Sequence, residues 1–353
     1  MRLVEVDKLR GNEIIAKDIV RKGGVVLLKS QTLYRLSYKE KLQEYNISYV
    51  YIDDELSQGI EPISLIDENK KKALTNDFKN AITKNQNDIR VNIKDIQNIV
   101  DSLLGEIMGK TMIYDIMNIK RNDEDTYDHS LGVAILSLIL SVKMGLKMDQ
   151  IRDIVTGCLL HDIGKLFIPK EILEKKEKLS PNEVEVIKQH PQIGYSMIKD
   201  NPTLSAIVKV IVLCHHERED GSGYPLKKAE DLHIGAKIVA CCDVFNAIIS
   251  DRPYRPGVPM NEAVLLLRKE RLNIQVRETL ESILNFYPVG TAVLLNNRLI
   301  GIVEKNFMED LGRPMLRIVI EGENYLEMPY RYELIKHPEA KIMLKLGNLP
   351  PKK

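Results

Sequence analysis

Five histidines and two aspartates between residues 129 and 243 set the strongest constraint on this chain. The histidines are His129, His161, His190, His215 and His216, and the aspartates are Asp162 and Asp243. The other two of the seven histidines, His233 and His337, lie outside the set. A lone histidine on an apolar helix is more often a satisfied core residue than a ligand. Five of them, each at or near a helix end with polar neighbours, point instead to a metal centre in a helical domain.

His161-Asp162 is the central pair. It closes the helical stretch from Asp149 to Leu160, whose apolar stripe is Ile151, Ile154, Val155, Cys158 and Leu159. Adjacent side chains on a helix point about 100° apart, so the two reach one metal only where the helix ends and the backbone turns. Gly164 supplies that turn. The aspartate has two oxygens and can bridge two metals, while the histidine gives its nitrogen to one of them. His215-His216 repeats the logic at the end of another helix, where two diverging imidazoles suit two positions around a metal cluster. Asp243 lies inside the apolar helix Ile238-Val239-Ala240-Cys241-Cys242-Asp243-Val244-Phe245. A lone carboxylate there is costly unless it is ion-paired or metal-bound.

Imidazole mixed with carboxylate suits Fe, Mn, Zn, Ni or Co and argues against an all-oxygen Mg or Ca site. Seven ligands exceed the needs of one metal once water is counted, so two or more metals are expected. Two metals roughly 3.5–4 Å apart stabilise both the attacking and the leaving oxygen of an in-line displacement at phosphorus. The residues therefore read as a metal-dependent phosphohydrolase. Lys165, three residues past Asp162, and the arginines of Arg252-Pro253-Tyr254-Arg255 are its candidate anion binders.

The rest of the 353 residues divides by pattern. Residues 1–60 read as a small α/β module, with strands at Gly23 to Leu28 and Ile47 to Ile52 around a helix from Leu33 to Tyr45. Residues 61–100 are polar, carry Lys70-Lys71-Lys72, and read as a solvated helical linker. Residues 101–275 form the helical catalytic domain. Ser180-Pro181-Asn182-Glu183 starts one helix there, and Leu204 to His216 and His233 to Ser250 are two more. Residues 276–353 read as a β-rich tail, with a hairpin turning at Asn296-Asn297-Arg298 and a strand from Pro314 to Ile320. The expected fold class is mainly α, with a small N-terminal α/β module and a β-rich C-terminal extension.

A net charge of +1 creates no field that would draw the chain to a nucleic-acid polymer or an acidic membrane, so neither is expected as a partner. Cys158, Cys214, Cys241 and Cys242 form no CxxC pair and lie in apolar stretches, which reads as buried free thiols in a reducing compartment. The longest apolar run, Leu131 to Val142, is shorter than the ~20 residues of a spanning helix. Met1-Arg2-Leu3-Val4-Glu5 has no apolar signal region, and the cytoplasm is the expected location.

Two segments carry a resemblance to a known family. His161-Asp162-Ile163-Gly164-Lys165 resembles the signature of the HD superfamily. His215-His216-Glu217-Arg218-Glu219-Asp220-Gly221-Ser222-Gly223-Tyr224-Pro225 resembles the HHExxDGxGYP motif of the HD-GYP family. The resemblance, over roughly residues 100 to 270, implies an HD-type helical fold and hydrolysis of cyclic di-GMP to linear pGpG and often onward to GMP. It implies two or three divalent metals, frequently iron or manganese, held by His129, His161, Asp162, His190, His215, His216 and Asp243. It assigns Lys165, Arg252 and Arg255 to substrate phosphates, places Asp162 and Lys165 in the chemistry, and offers Tyr224 or Tyr254 to stack on a guanine. The Gly223-Tyr224-Pro225 loop becomes a substrate-side loop at which GGDEF-type diguanylate cyclases dock. Its alternative is a tight turn that orients His215 and His216.

Two positions depart from the family pattern. Three-metal members carry a glutamate four residues before the first histidine, where this chain has Asp125. A third metal would rest on that shorter side chain. A second aspartate usually follows the position of Asp243 by three residues, and here it is Asn246, so weaker support is expected there. Two rival readings stay open: a phosphodiesterase for another cyclic dinucleotide, and an adaptor that binds cyclic di-GMP or a diguanylate cyclase without turnover.

Overall fold

The computed structural model describes residues 1–353 apart from 22–24, 46, 63–65, 86–87, 109–125, 176, 228–230, 251–257, 259, 308–309, 311 and 353. The chain divides into two compact units, one built chiefly from Met1–Leu65 and Leu284–Lys353, the other from Ile66–Lys110 and Ile119–Ile283.

The N-terminal segment contributes short strands β1 (Arg2–Glu5), β2 (Ile14–Ile15), β3 (Ile19–Val20) and β4 (Val26–Leu28), helix α1 (Lys39–Glu44) and strand β5 (Tyr49–Asp53). β5 is central, antiparallel to both β1 and β2, while β3 pairs with β4. Val4, Ile15, Tyr34, Leu42, Val50 and Ile52 close their common core. The expected helix over Leu33–Tyr45 is shorter than read, because a 3₁₀ turn at Leu36–Tyr38 precedes α1.

The helical unit begins earlier than composition suggested. Residues 61–100, read as a solvated helical linker, contain α2 (Glu68–Ala81), the hairpin β6 (Ile82–Asn85) and β7 (Asp88–Val91), and the start of α3 (Ile93–Ile107). Asp67 and Asn92 cap the two helices through their side-chain oxygens. α3 buries Ile96, Ile99, Val100, Leu103 and Leu104, a helical stripe, and α2 buries Leu74 and Phe78. Most of the polar residues cover the outer face, while Thr75 is buried and donates to Asp128 Oδ1 at 2.7 Å.

The domain core follows: α4 (Thr126–Lys143), α5 (Met148–Leu160), α6 (Lys170–Leu173), α7 (Pro181–Ile187), α8 (His190–Ile198), α9 (Ala206–Cys214), α10 (Ile234–Ile249), α11 (Met260–Leu267) and α12 (Ile274–Ile283). α4 is apolar around most of its circumference, as a helix packed against α5, α10 and α12 must be. α7 starts where the capping signal lies: Ser180 Oγ accepts from Glu183 N at 3.3 Å, and Glu183 Oε2 accepts from Ser180 N at 2.7 Å. Among the described residues no helix is long and apolar enough to cross a membrane. All four cysteines are buried, and none forms a disulfide.

The C-terminal segment forms β8 (Ala292–Leu295), β9 (Leu299–Lys305), β10 (Met315–Glu321), β11 (Asn324–Glu333) and β12 (Ile342–Leu346) in one antiparallel sheet of order β11-β10-β9-β8-β12. The expected hairpin is β8–β9, with Arg298 in left-handed backbone at its turn. This sheet is no separate tail. Leu3 N donates to Gly290 O at 2.9 Å, Glu5 N to Gly347 O at 2.8 Å, and Arg2 to Asn348 Oδ1 at 2.6 Å. Both ends of the chain thus make one unit.

Candidate metal centre

The local fold delivers each ligand-type residue to one place. His129 lies in the first turn of α4, and His161 and Asp162 follow the last turn of α5. A 3₁₀ turn, Ile163–Phe167, then carries the chain against α8, which opens with His190. Gly164 permits this approach: a Cβ there would lie 2.8 Å from Gly194 N and 2.9 Å from His190 C. His215 and His216 follow α9, and Asp243 projects from the middle of α10.

Three of the histidines are oriented by carbonyls three residues upstream. His161 Nδ1 donates to Cys158 O at 2.6 Å, His190 Nδ1 to Ile187 O at 2.8 Å, and His215 Nδ1 to Val212 O at 3.0 Å. With Nδ1 carrying the proton, Nε2 of each ring is a lone pair aimed inward. His190 Nε2 and His215 Nε2 then face each other at 3.1 Å. Two lone pairs at that distance repel, and a cation reconciles them. Buried His161 Nε2 and Asp162 Oδ1 also lack a hydrogen bond of acceptable geometry, although His190 Nε2 stands 3.2 Å from that oxygen. The residues therefore fit divalent metals.

The seven side chains sort into two sets, Asp162/His190/His215/His216 and His129/His161/Asp243, with ligand atoms within 4.8 Å of one another in each. Asp162 straddles them: Oδ1 faces His190 and His215 at 3.2 and 3.9 Å, and Oδ2 faces His161 and His129 at 3.4 and 3.8 Å. Asp243 does the same more loosely, with Oδ1 at 2.9 Å from His129 Nε2 and Oδ2 at 3.9 Å from His216 Nδ1.

Electrostatics favour the metal-binding states of Asp162, Asp243, His215 and His216, but not that of His161. Burial alone would push the Asp162 carboxyl up, but His161 and Lys165 outweigh it and hold it well below the usual carboxylate range. Asp243 is likewise held low against burial, mainly by His129. Burial and the neighbouring imidazoles push His215 well below its ordinary value, and burial does so for His216 against the pull of Asp243. Burial would lower His161 too, yet Asp162 and Asp243 raise it. Ionised carboxylates and neutral imidazoles are the protonation states that bind metals.

Lys165 Nζ donates to Asp162 Oδ2 at 2.6 Å from the rim of the centre, with its side chain 24% exposed. Tyr224 stacks on His216. Asn246, where weaker support is expected, places its amide Nδ2 3.0 Å from His129 Nδ1. With that amide turned, Oδ1 accepts from Nδ1–H and leaves Nε2 to a cation. Asp125, Arg252, Tyr254 and Arg255 lie outside the described residues. Sequence reasoning missed Glu217, which is 2% exposed beside the ligands. Its one signal was an acidic residue placed directly after two ligand-type histidines.

The helical bundle thus gathers five imidazoles and two carboxylates into two adjoining groups, each able to hold a metal ion. Residues 111–276 match the family model described as HD domain, and the motif from His215 to Pro225 resembles that of the HD-GYP family. A cyclic di-GMP phosphodiesterase of Pseudomonas aeruginosa is 33% identical over 235 residues, which are 65% of this chain and 57% of that protein. A 3′3′-cGAMP-specific phosphodiesterase of Vibrio cholerae is 36% identical over 161 residues, 43% of this chain and 36% of that protein. The chain thus spans little more than half the length of these relatives, or less. A solved HDG"Y"P protein from Bdellovibrio bacteriovorus, 20% identical, superposes with a TM-score of 0.51 over 80% of this chain and 98% of its own, a likeness of fold.

Proposed function

We propose that the chain is a metal-dependent phosphodiesterase that hydrolyses cyclic di-GMP to linear pGpG, and in a second cut to GMP, with two divalent cations, iron or manganese. The observation that carries this is Asp162 between two ligand sets, one oxygen toward each. When bound, the cations supply Lewis acidity and a water acidified toward neutral pH. The protein residues do the remaining work. The carbonyl-anchored histidines fix the geometry before substrate arrives. Lys165, at the rim, meets the negative charge that develops on the phosphoryl oxygens or the leaving 3′-oxygen. Arg252 and Arg255 are assigned to the substrate phosphates by residue pattern, as bidentate forks. Asp125 is the residue on which a third cation would rest, and elemental analysis would report it as a third equivalent. The outer side of the 217–227 loop, with exposed Asp220, Ser222 and Leu226, is the surface offered to a GGDEF-type partner.

The substrate is supported by relatives named for cyclic di-GMP, and the relative named for 3′3′-cGAMP supplies the comparison substrate. Protein loaded anaerobically with Mn(II) or Fe(II) is incubated with each dinucleotide, and products are separated by chromatography. Formation of pGpG is expected. Absence of product with both metals overturns the proposal, and preferential cleavage of 3′3′-cGAMP moves it to that substrate.

A further inference from the structure

We propose that the Gly223-Tyr224-Pro225 loop is a clamp on the cation centre, in which Tyr224 fixes the ring of His216 and Glu217 is the positioning residue that fastens the loop. The inference rests on the two-cation reading of the centre and on nothing about the substrate.

His216 is the ligand most in need of help. Its side chain is 16% exposed, whereas those of His161, His190 and His215 are fully enclosed. The other three rings are held by carbonyls at Nδ1, but Nδ1 of His216 faces Asp243 Oδ2 at 3.9 Å. Its ring is held by a flat surface instead: Tyr224 stacks on it with centroids 4.6 Å apart and planes 21° apart. Such a pair contributes about 0.5–1.5 kcal/mol beyond the area it buries. The same tyrosine stands edge-on to His190 at 6.4 Å, and the Lys188 ammonium lies 5.9 Å from its centroid. One face of the ring is thereby committed to the centre.

The backbone brings Tyr224 there by doubling back. Tyr224 N donates to His216 O at 3.2 Å. At Gly223 the returning chain passes so close that a Cβ would lie 2.5 Å from Arg218 N, Glu217 Cα and His216 O. Glu217 closes the loop. Its buried carboxylate accepts from Leu226 N at 2.6 Å and Lys227 N at 3.2 Å. A carboxylate in that position is costly unless bonded, and these bonds hold Lys227 in left-handed backbone, φ 54°. The loop's other limb is moored to α10, which carries Asp243, where Glu219 pairs with Lys237 at 3.1 Å, and to the start of α12, where it accepts from Asn273 at 2.7 Å. Glu217 and Tyr224 therefore act on the cation set through His216.

The test is a Co(II) titration of metal-free protein, read by elemental analysis and by the visible absorption of each bound equivalent, with far-UV circular dichroism as the folding control. Wild type, Tyr224→Phe and Glu217→Gln, which keep the ring and the acceptor oxygen, are expected to take two equivalents with the same spectrum. Tyr224→Leu, which fills the volume without a flat face, and Glu217→Ala are expected to keep the first equivalent and bind the second at least ~10-fold more weakly. If Tyr224→Leu binds both as wild type does, the clamp is refuted, whether or not Glu217→Ala folds. Wild type that takes fewer than two equivalents would instead remove the two-cation reading beneath it.

Discussion

Replacing Gly164 with alanine should disrupt the metal centre without changing a ligand. The new Cβ would lie 2.8 Å from Gly194 N and 2.9 Å from His190 C, and nearest of all to His190 O, where ordinary contact begins at 3.4 Å. All three atoms are backbone of α8, so no side-chain rotation relieves the overlap. The helix must retreat by at least 0.6 Å, the difference between 2.8 and 3.4 Å. Overpacking of this kind costs about 1–3 kcal/mol of stability. The larger effect falls on His190, which opens α8 and moves with it, away from Asp162 Oδ1 at 3.2 Å and His215 Nε2 at 3.1 Å. Metal–ligand distances tolerate only ~0.2 Å, and misplacement by about 1 Å costs turnover on the order of 100-fold. Elemental analysis should show loss of metal, and the phosphodiesterase turnover proposed above should fall to match. Gly105→Ala is the control: nothing lies within 4 Å of its Cβ, and alanine in α3 should add up to about 1 kcal/mol. A Gly164→Ala protein with full metal content and wild-type turnover would refute the claim that this close approach sets the centre's geometry.

Asp162→Asn removes the charge shared by both ligand sets, so metal content and turnover should each fall at least ~100-fold while circular dichroism is unchanged; retained metal would show that Asp162 is no bridge. Burial pushes the Cys242 thiol and, with Glu5 adding to it, the Tyr49 phenol up to about 12. The unfolded chain ionises first, from 9.0 for the thiol and 10.0 for the phenol, so stability should decline as pH rises from about 9 toward 12. Differential scanning fluorimetry should therefore give a falling melting temperature over that window, and a flat profile would count against the burial argument. Ser180→Ala removes one half of the α7 capping box and should cost about 1 kcal/mol in urea unfolding; no loss would show that Glu183 alone holds that helix start.

The helices around the centre were legible because each carries a local signal. The stripe from Ile151 to Leu159 recovers α5, and Ser180 with Glu183 recovers the start of α7. The stretch from Leu204 to His216 overran α9 at both ends, since Ser205 takes the N-cap and the helix stops at Cys214 so that two histidines can diverge. Ligand types were readable from residue identity, but the carbonyls that aim them belong to Cys158, Ile187 and Val212, and main-chain acceptors leave no mark on a sequence. Glu217 passed as one more charged loop residue because its partners lie nine and ten residues downstream. In 61–100 the polar count described the outer face, while Leu74, Phe78 and Ile96 set the inner one. The union of the two chain ends left no trace, because no periodicity spans such separations.

That union bears on the order in which the chain can fold as it leaves the ribosome. All of the helical unit is synthesised before residue 284, so it can close on itself while translation continues. The N-terminal strands cannot complete their unit then, because Leu3 bridges Thr291 and Arg2 bonds Asn348, 346 residues later. At about 5–20 residues per second, β1 waits roughly 15–60 s with its outer edge unmet. Through that interval the same edge on a neighbouring nascent chain is a rival partner, and the speed of translation across the helical unit becomes a determinant of yield.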